Sequence, residues 1–369
     1  MSRSGAILCP RCFKTFSSDQ IEFVCMNLRC STDVIPNAKP DKEGNVRCEC
    51  GHKTNVRKCP HCHETLPYDI LENDTRVISV VGVANCGKSY YVGSLLRLLR
   101  FSGTLSASYG LANYWNPKDA HQYEDRYEQS FEQGILLPGT EKTSDILEKY
   151  PPIVVCLSKE IKSRFGKPRL VRYNYSFFDA AGENFEDPAI LASVTPYLQN
   201  STAILLLLDP RQIATVGSAI LAQYPYLQAL EPQKMCRDIL NNVIQLLRTE
   251  RKLVKNNKFT IPLFITISKW DLIANTPGLL PETLVVNHPD HMVGTYDKNI
   301  VDAINAELRS LVLSWDSDLL TLAEQNFAEV RFFACSAWGT PGDRGDAPDI
   351  KPFRVEDPLL WQLHKDKMV

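Results

Sequence analysis

The stretch "RVISVVGVANCGKSYYVGSLLRLLR", residues 76–100, constrains the chain more than any other. An apolar, β-branched run predicts a buried strand, and a turn of small residues follows. Val92, Leu95, Leu96 and Leu99 then recur at helical spacing. Within the turn Gly82, Gly87, Lys88 and Ser89 fit the phosphate-loop pattern GxxxxGK[ST]. Small residues let backbone N–H groups approach phosphate oxygens, Lys88 reaches the β- and γ-phosphates, and the Ser89 hydroxyl is placed for Mg²⁺. Asn85, Cys86 and Tyr90 belong to the same phosphate-binding stretch.

Three later strand ends narrow the ligand. "YNYSFFDAAGE" ends an apolar strand at Asp179 with Gly182 three residues on. This hhhDxxG pattern sets a carboxylate near the metal's water shell and a glycine N–H beside the γ-phosphate. "IPLFITISKWD" leads into Ser268-Lys269-Trp270-Asp271, a variant of [NT]KxD. Asp271 can accept from N1–H and the exocyclic amine of guanine, a donor pair that adenine lacks. The stem of Lys269 can cover one face of the base, and Ser268 can still hydrogen-bond the phosphate loop. "VRFFACSAWG" ends a further strand at Ser336-Ala337, where a backbone N–H can meet the base O6. An ATP-using chain would require Asp271 to be an accident. The expected cofactors are therefore GTP or GDP with Mg²⁺.

Eight of the twelve cysteines crowd into residues 9–62: Cys9-x2-Cys12, Cys25-x4-Cys30, Cys48-x-Cys50 and Cys59-x2-Cys62. Four short ligand pairs suit two tetrahedral Zn²⁺ sites in a reducing cytoplasm. Sequential pairing gives Cys9, Cys12, Cys25 and Cys30 in one site, and Cys48, Cys50, Cys59 and Cys62 in the other. Interleaved pairing satisfies the same spacings, and His52, His61 or His63 can replace a thiolate. Residues 1–66 carry too few apolar side chains for a core of their own, so metal must supply the folding energy. A zinc-ribbon region for protein contacts is expected, with nucleic acid the lesser alternative through Arg11, Lys14, Arg47, Lys53, Arg57 and Lys58.

These motifs resemble the Ras-like, translation-factor-related class of P-loop GTPases over about residues 75–340. With the zinc knuckles, "FFDAAGE" and the C-terminal "EDPLLW", the chain more narrowly resembles the double-GTPase families of bacterial conflict systems. The resemblance implies a GTP-hydrolysing switch that gates a partner effector. It implies a switch threonine that senses Mg²⁺ and the γ-phosphate, Thr140 or alternatively Thr143. It also implies a catalytic set of Lys88, Thr140, Gly182 and Glu183, with Mg²⁺ held by Ser89, Thr140 and Asp179. Glu183 stands where such enzymes carry a water-orienting glutamine; a carboxylate beside a polyanion predicts slow turnover, raised by a partner or by nucleotide-dependent dimerisation. Arg164, Arg169 and Arg211 are candidates for stabilising transition-state charge. The rival reading is a GTP-bound scaffold without hydrolysis.

The expected architecture is α/β: a P-loop GTPase fold with a mostly parallel sheet, one antiparallel edge strand and helices on both faces. "IVVCLSK" and "LVRYNYSFFD" should form a hairpin. The divisions are a zinc-ribbon region over 1–66, a polar linker over 67–75, the GTPase domain over 76–345 with an inserted helix at about 113–133, and a C-terminal extension over 346–369. In that extension Asp357-Pro358 reads as an N-cap and N1 pair. A net charge of −2 argues against a strongly basic nucleic-acid binder, and no apolar run reaches the roughly 20 residues of a membrane span.

Overall fold

The apolar runs assemble into one sheet at the centre of a computed structural model, which describes residues 5–101, 103–137, 146–162, 166, 168–179, 188–227, 235–249, 254–281, 284–287, 296–339 and 350–369. Seven strands build it: β1 (Asp74–Val81), β2 (Ala112–Trp115), β3 (Ile153–Lys162), β4 (Pro168–Phe178), β5 (Ala203–Leu208), β6 (Leu263–Ile267) and β7 (Val330–Ala334). Their order is β7-β6-β5-β1-β4-β3-β2. β1 pairs in parallel with β4 and β5, and β5, β6 and β7 continue in parallel. Every residue of β5 and β6 is buried, as strands covered on both faces by helices must be. The expected α/β architecture with a mostly parallel sheet is thus present, and the GxxxxGK[ST] turn leaves the C-terminal end of β1.

The hairpin forms as its two apolar runs predict, β3 and β4 pairing antiparallel from Pro168↔Lys162 to Phe177↔Ile153. The antiparallel strand is not at the edge, however. β2 adds outside β3, antiparallel to it, from Ala112↔Ser158 to Trp115↔Val155. A ten-residue β3 would otherwise present a long unpaired edge, and the short, largely exposed "ANYW" strand covers it.

The expected inserted helix therefore starts later than residue 113. It begins at Pro117, where Asn116 caps it by accepting from the Asp119 N–H at 2.9 Å. It runs as Pro117–Tyr123, widens into a π-turn over Glu124–Glu128, and closes as Gln129–Gln133 at Gly134 (φ 65°). Tyr123, Tyr127 and Phe131 are buried. Tyr127 and Phe131 lie against α1 (Lys88–Phe101) at Gly93, where a Cβ would stand 2.7 Å from both rings.

The N-terminal region is not a pendant module. Phe13 leaves its own knuckle at φ 59° and packs in the main core, 6.2 Å from the Phe178 ring and 5.2 Å from the Tyr197 ring. Residues 67–73, expected as a linker, are packed turns: Ile70 is buried with the cysteine-rich core and Asp69 accepts from Asn174 at 3.4 Å. The C-terminal helix Asp357–Lys365 has Glu356, not Asp357, at its N-cap position. Asp357 instead accepts from Arg354 at 2.9 Å. Leu359, Leu360 and Leu363 are buried in the main core, and Asp366 binds Arg76 at 2.9 Å and the Tyr175 hydroxyl at 2.7 Å. The segment is part of the body rather than an extension.

Candidate nucleotide and metal sites

The phosphate loop takes its shape from backbone that only glycine or a few other residues adopt: Gly82 (φ 156°), Asn85 (φ 59°) and Gly87 (φ 100°). A Cβ at Gly82 would meet Cys86 Sγ at 2.7 Å and the Leu207 carbonyl at 3.0 Å. Lys88 opens α1 and is buried, its Nζ donating to the carbonyls of Gly82 at 3.1 Å and Val83 at 2.6 Å. An ammonium folded onto its own loop is positioned to exchange those carbonyls for phosphate oxygens. Ser89 is the next residue of α1. Cys86 is wholly buried, and burial pushes its thiol pKa up, so it is a small packing residue and a poor redox sensor.

The β6 end is tied directly to this loop. Ser268 Oγ donates to the Cys86 carbonyl at 2.9 Å. Lys269 sits at φ 52°, and its Nζ donates to the Asn85 carbonyl at 2.9 Å while pairing with Asp209 at 2.7 Å. The lysine stem is thereby stretched along the cavity wall. Asp209, at the end of β5, was missed in the sequence because "LLLLDP" reads as an ordinary strand stop. Burial opposes its charge, but Lys269 and Arg211 outweigh burial and hold its pKa below the usual value.

Asp271 faces a cavity of about 200 Å³ lined also by Gly87, Tyr90, Lys269, Leu272, Ala337 and Trp338. It accepts from the Ser336 hydroxyl. Burial raises its pKa, with the Ser336 hydrogen bond pulling the other way. The Ser336 amide is unavailable to a base, because Ser336 and Phe353 exchange backbone hydrogen bonds at 2.9 and 2.8 Å. Ala337 is left as the amide that can serve O6, its carbonyl anchored by Ser94 at 2.7 Å. Tyr90 packs edge-on to Trp338 at 5.2 Å, and its hydroxyl accepts from the Leu137 N–H at 2.8 Å.

Asp179 follows β4 and is buried. One oxygen, Oδ2, accepts from Arg126 at 2.9 Å and from the Tyr127 hydroxyl at 3.2 Å. Its Oδ1 is buried with no hydrogen-bond partner among the described residues. Arg126 was not among the candidate arginines; its signal was only its place one residue before a core tyrosine. Of those candidates, Arg211 binds Asp209 at 2.8 Å and lines the same cavity as Asp271. Arg169 is exposed near the far end of β4, ten residues and about 33 Å of strand from Asp179. Thr140, Thr143, Arg164, Gly182 and Glu183 lie outside the described residues.

The eight N-terminal cysteines form two tetrads, but not the sequential ones. Cys9 and Cys12 join Cys59 and Cys62, while Cys25 and Cys30 join Cys48 and Cys50. The outer knuckles meet around the inner pair because Glu22–Phe23 pairs antiparallel with Arg57–Lys58. Sulfur separations are 3.9 Å (Cys9–Cys62), 3.8 Å (Cys12–Cys59), and 3.6 Å for both Cys25–Cys50 and Cys30–Cys48. A tetrahedral Zn²⁺ with bonds of about 2.3 Å needs an S–S edge of about 3.8 Å. The N–H groups of Arg11, Thr32 and His61 each donate to a cysteine sulfur at 3.4 Å. His61 contacts the Thr15 carbonyl and His63 binds Glu22; neither belongs to a tetrad, and nor does His52.

No protein-family model matches the chain. Among curated proteins it is 26% identical, over 323 residues, to "Putative ESX-1 scaffolding and assembly protein SaeC" of Mycolicibacterium smegmatis, covering 83% of this chain and 79% of that one. Solved structures that align with it include a nucleolar GTP-binding protein 1, titled putative, from Plasmodium falciparum (11% identity, TM-score 0.24, 79% of this chain and 92% of that one). Another is the signal recognition particle receptor SRb-GTP/SRX complex from Chaetomium thermophilum (15% identity, TM-score 0.29, 74% and 94%). Neither overlay is close enough to carry an argument about function.

Proposed function

We propose that this chain binds guanine nucleotide with Mg²⁺ and hydrolyses GTP slowly, as a switch whose zinc-bearing N-terminal region contacts a protein partner. One observation carries the nucleotide reading. Ser268 and Lys269 are hydrogen-bonded to the phosphate-loop carbonyls of Cys86 and Asn85, while Asp271, from the same turn, faces the adjoining cavity. In this reading a loop for phosphates and a carboxylate for a base are fastened together beside one cavity. Lys88 would neutralise the phosphates, Ser89 and Asp179 would hold the Mg²⁺ shell, and Ala337 would donate to the base. The two tetrads would each hold structural Zn²⁺, since four thiolates leave no open position for a substrate. Thr140, Gly182 and Glu183 complete the hydrolytic set in this reading.

A protein partner is supported by the curated relative, whose printed name describes scaffolding and assembly. Gating of an effector rests on the family resemblance and remains part of the proposal. The test is displacement of labelled GDP by GTP, ATP and XTP from wild type and Asp271→Asn. Wild type should discard ATP. The variant should lose on the order of 10²-fold or more in GTP affinity and gain XTP, because donor and acceptor are exchanged. Unchanged preference in the variant overturns the base assignment. Single-turnover hydrolysis by wild type and Glu183→Gln tests the enzyme; no turnover in wild type with its partner present favours the scaffold.

A further inference from the structure

We propose that Arg126 is a built-in cation that neutralises Asp179 in the metal-free protein and competes with Mg²⁺ for it, a positioning residue that sets how much metal the nucleotide site requires. The inference rests on the nucleotide reading above. A carboxylate as buried as Asp179, with 1% of its side chain exposed, needs a compensating charge. Arg126 supplies it at 2.9 Å, with a second contact to the Asp179 carbonyl at 3.3 Å. The guanidinium is held against the Tyr127 and Tyr150 rings, 5.2 and 4.7 Å from their centroids.

Two further observations tie the pair to the helix that begins with Lys88 and set it apart from an ordinary core pair. Arg126 lies in the π-turn Glu124–Glu128, and such one-turn widenings concentrate at functional positions. The same turn is pressed onto α1, the helix that begins with Lys88, at Gly93. The carboxylate is also only half used. Oδ2 takes Arg126 and Tyr127, whereas Oδ1 is buried and unpartnered among the described residues. A buried oxygen without a donor among the described residues is costly, and a divalent cation's water shell would supply donors. Once that ion is near, a fixed guanidinium on the same carboxylate repels it. The charge that makes the buried carboxylate tolerable therefore weakens metal binding.

The experiment is release of a fluorescent GDP analogue from the zinc-loaded full chain, titrated with Mg²⁺, for wild type, Arg126→Gln and Arg126→Lys. The quantity read is the Mg²⁺ concentration that half-maximally slows release. Arg126→Gln should lower it by roughly tenfold, the effect of removing one competing charge. Arg126→Lys keeps the charge and should stay within about twofold of wild type. An unchanged or higher midpoint in Arg126→Gln overturns the proposal, because a residue that merely holds Asp179 in place would raise it. Should Arg126→Gln fail to fold, a Lys variant whose midpoint falls tenfold overturns it equally. A wild-type chain that holds no GDP at any Mg²⁺ concentration overturns the nucleotide reading, and this inference with it.

Discussion

At the scale of single residues the consequential feature is a carboxylate whose useful form is the one its surroundings disfavour. Burial raises the Asp271 pKa, so protonation sets in at a higher pH than for an exposed aspartate. In the proposed reading, guanine recognition requires the ionised acceptor. Nucleotide affinity should therefore hold above the raised pKa and fall as pH drops through it, while Asp271→Asn loses that dependence; equilibrium binding measured as a function of pH reads both. For the empty protein the sign is opposite, since protonating a group with a raised folded-state pKa favours the folded state. Gly93 is a second pressure point. Its φ is unremarkable, but a Cβ would stand 2.7 Å from two aromatic rings. Gly93→Ala should cost about 1–3 kcal/mol by overpacking, read in a urea melt.

At the scale of elements, the phosphate loop and β6 act as one piece because the Ser268 hydroxyl bridges to the Cys86 carbonyl. Ser268→Ala should destabilise by about 1 kcal/mol and weaken nucleotide binding in the same proportion. Ser268→Asn, which restores the commoner residue of the pattern, should bind at least as well as wild type. The inserted helix is fastened at its other end. Arg11, in the first knuckle, donates to both oxygens of buried Asp119 at 2.7 and 2.8 Å. Asp119 also accepts from the Val154 N–H at 2.8 Å, joining knuckle, helix and β3. Arg11→Gln leaves a buried charge unpaired and should cost about 3–5 kcal/mol. The sequence offered Arg11 only as one of several N-terminal cations, since a pair 108 positions apart has no local signature.

For the whole molecule, the two cysteine tetrads are not equivalent. The Cys9, Cys12, Cys59 and Cys62 tetrad holds the turn that sends Phe13 and Arg11 into the main body, and Ser176 on β4 donates to the Pro10 carbonyl at 2.7 Å. Both tetrads border the smaller N-terminal core, but these contacts with the main body come from the first. Composition alone suggests that chelation unfolds the N-terminal region and spares the rest. The packing predicts otherwise: a Cys9→Ser/Cys12→Ser variant should lower the melting temperature of the entire chain and weaken nucleotide binding. Cys25→Ser/Cys30→Ser should melt only the N-terminal region. Calorimetry with a parallel nucleotide titration separates the two outcomes. No helix among the described residues is long and apolar enough to cross a membrane.

Local chemistry was legible in the sequence wherever a function needs residues close together along the chain. The phosphate loop, the strand ends at Asp179 and Asp271, the hairpin and the short cysteine knuckles all announce themselves by spacing, because backbone geometry over a few residues is nearly independent of the rest of the fold. Tertiary structure decided what depends on closure between distant segments. It brought the first and fourth knuckles together, paired Lys269 with Asp209, took the Ser336 amide for Phe353, and put Arg126 against Asp179. Each is a charge or polar group whose partner is chosen by burial, and burial is a property of the whole packed sheet.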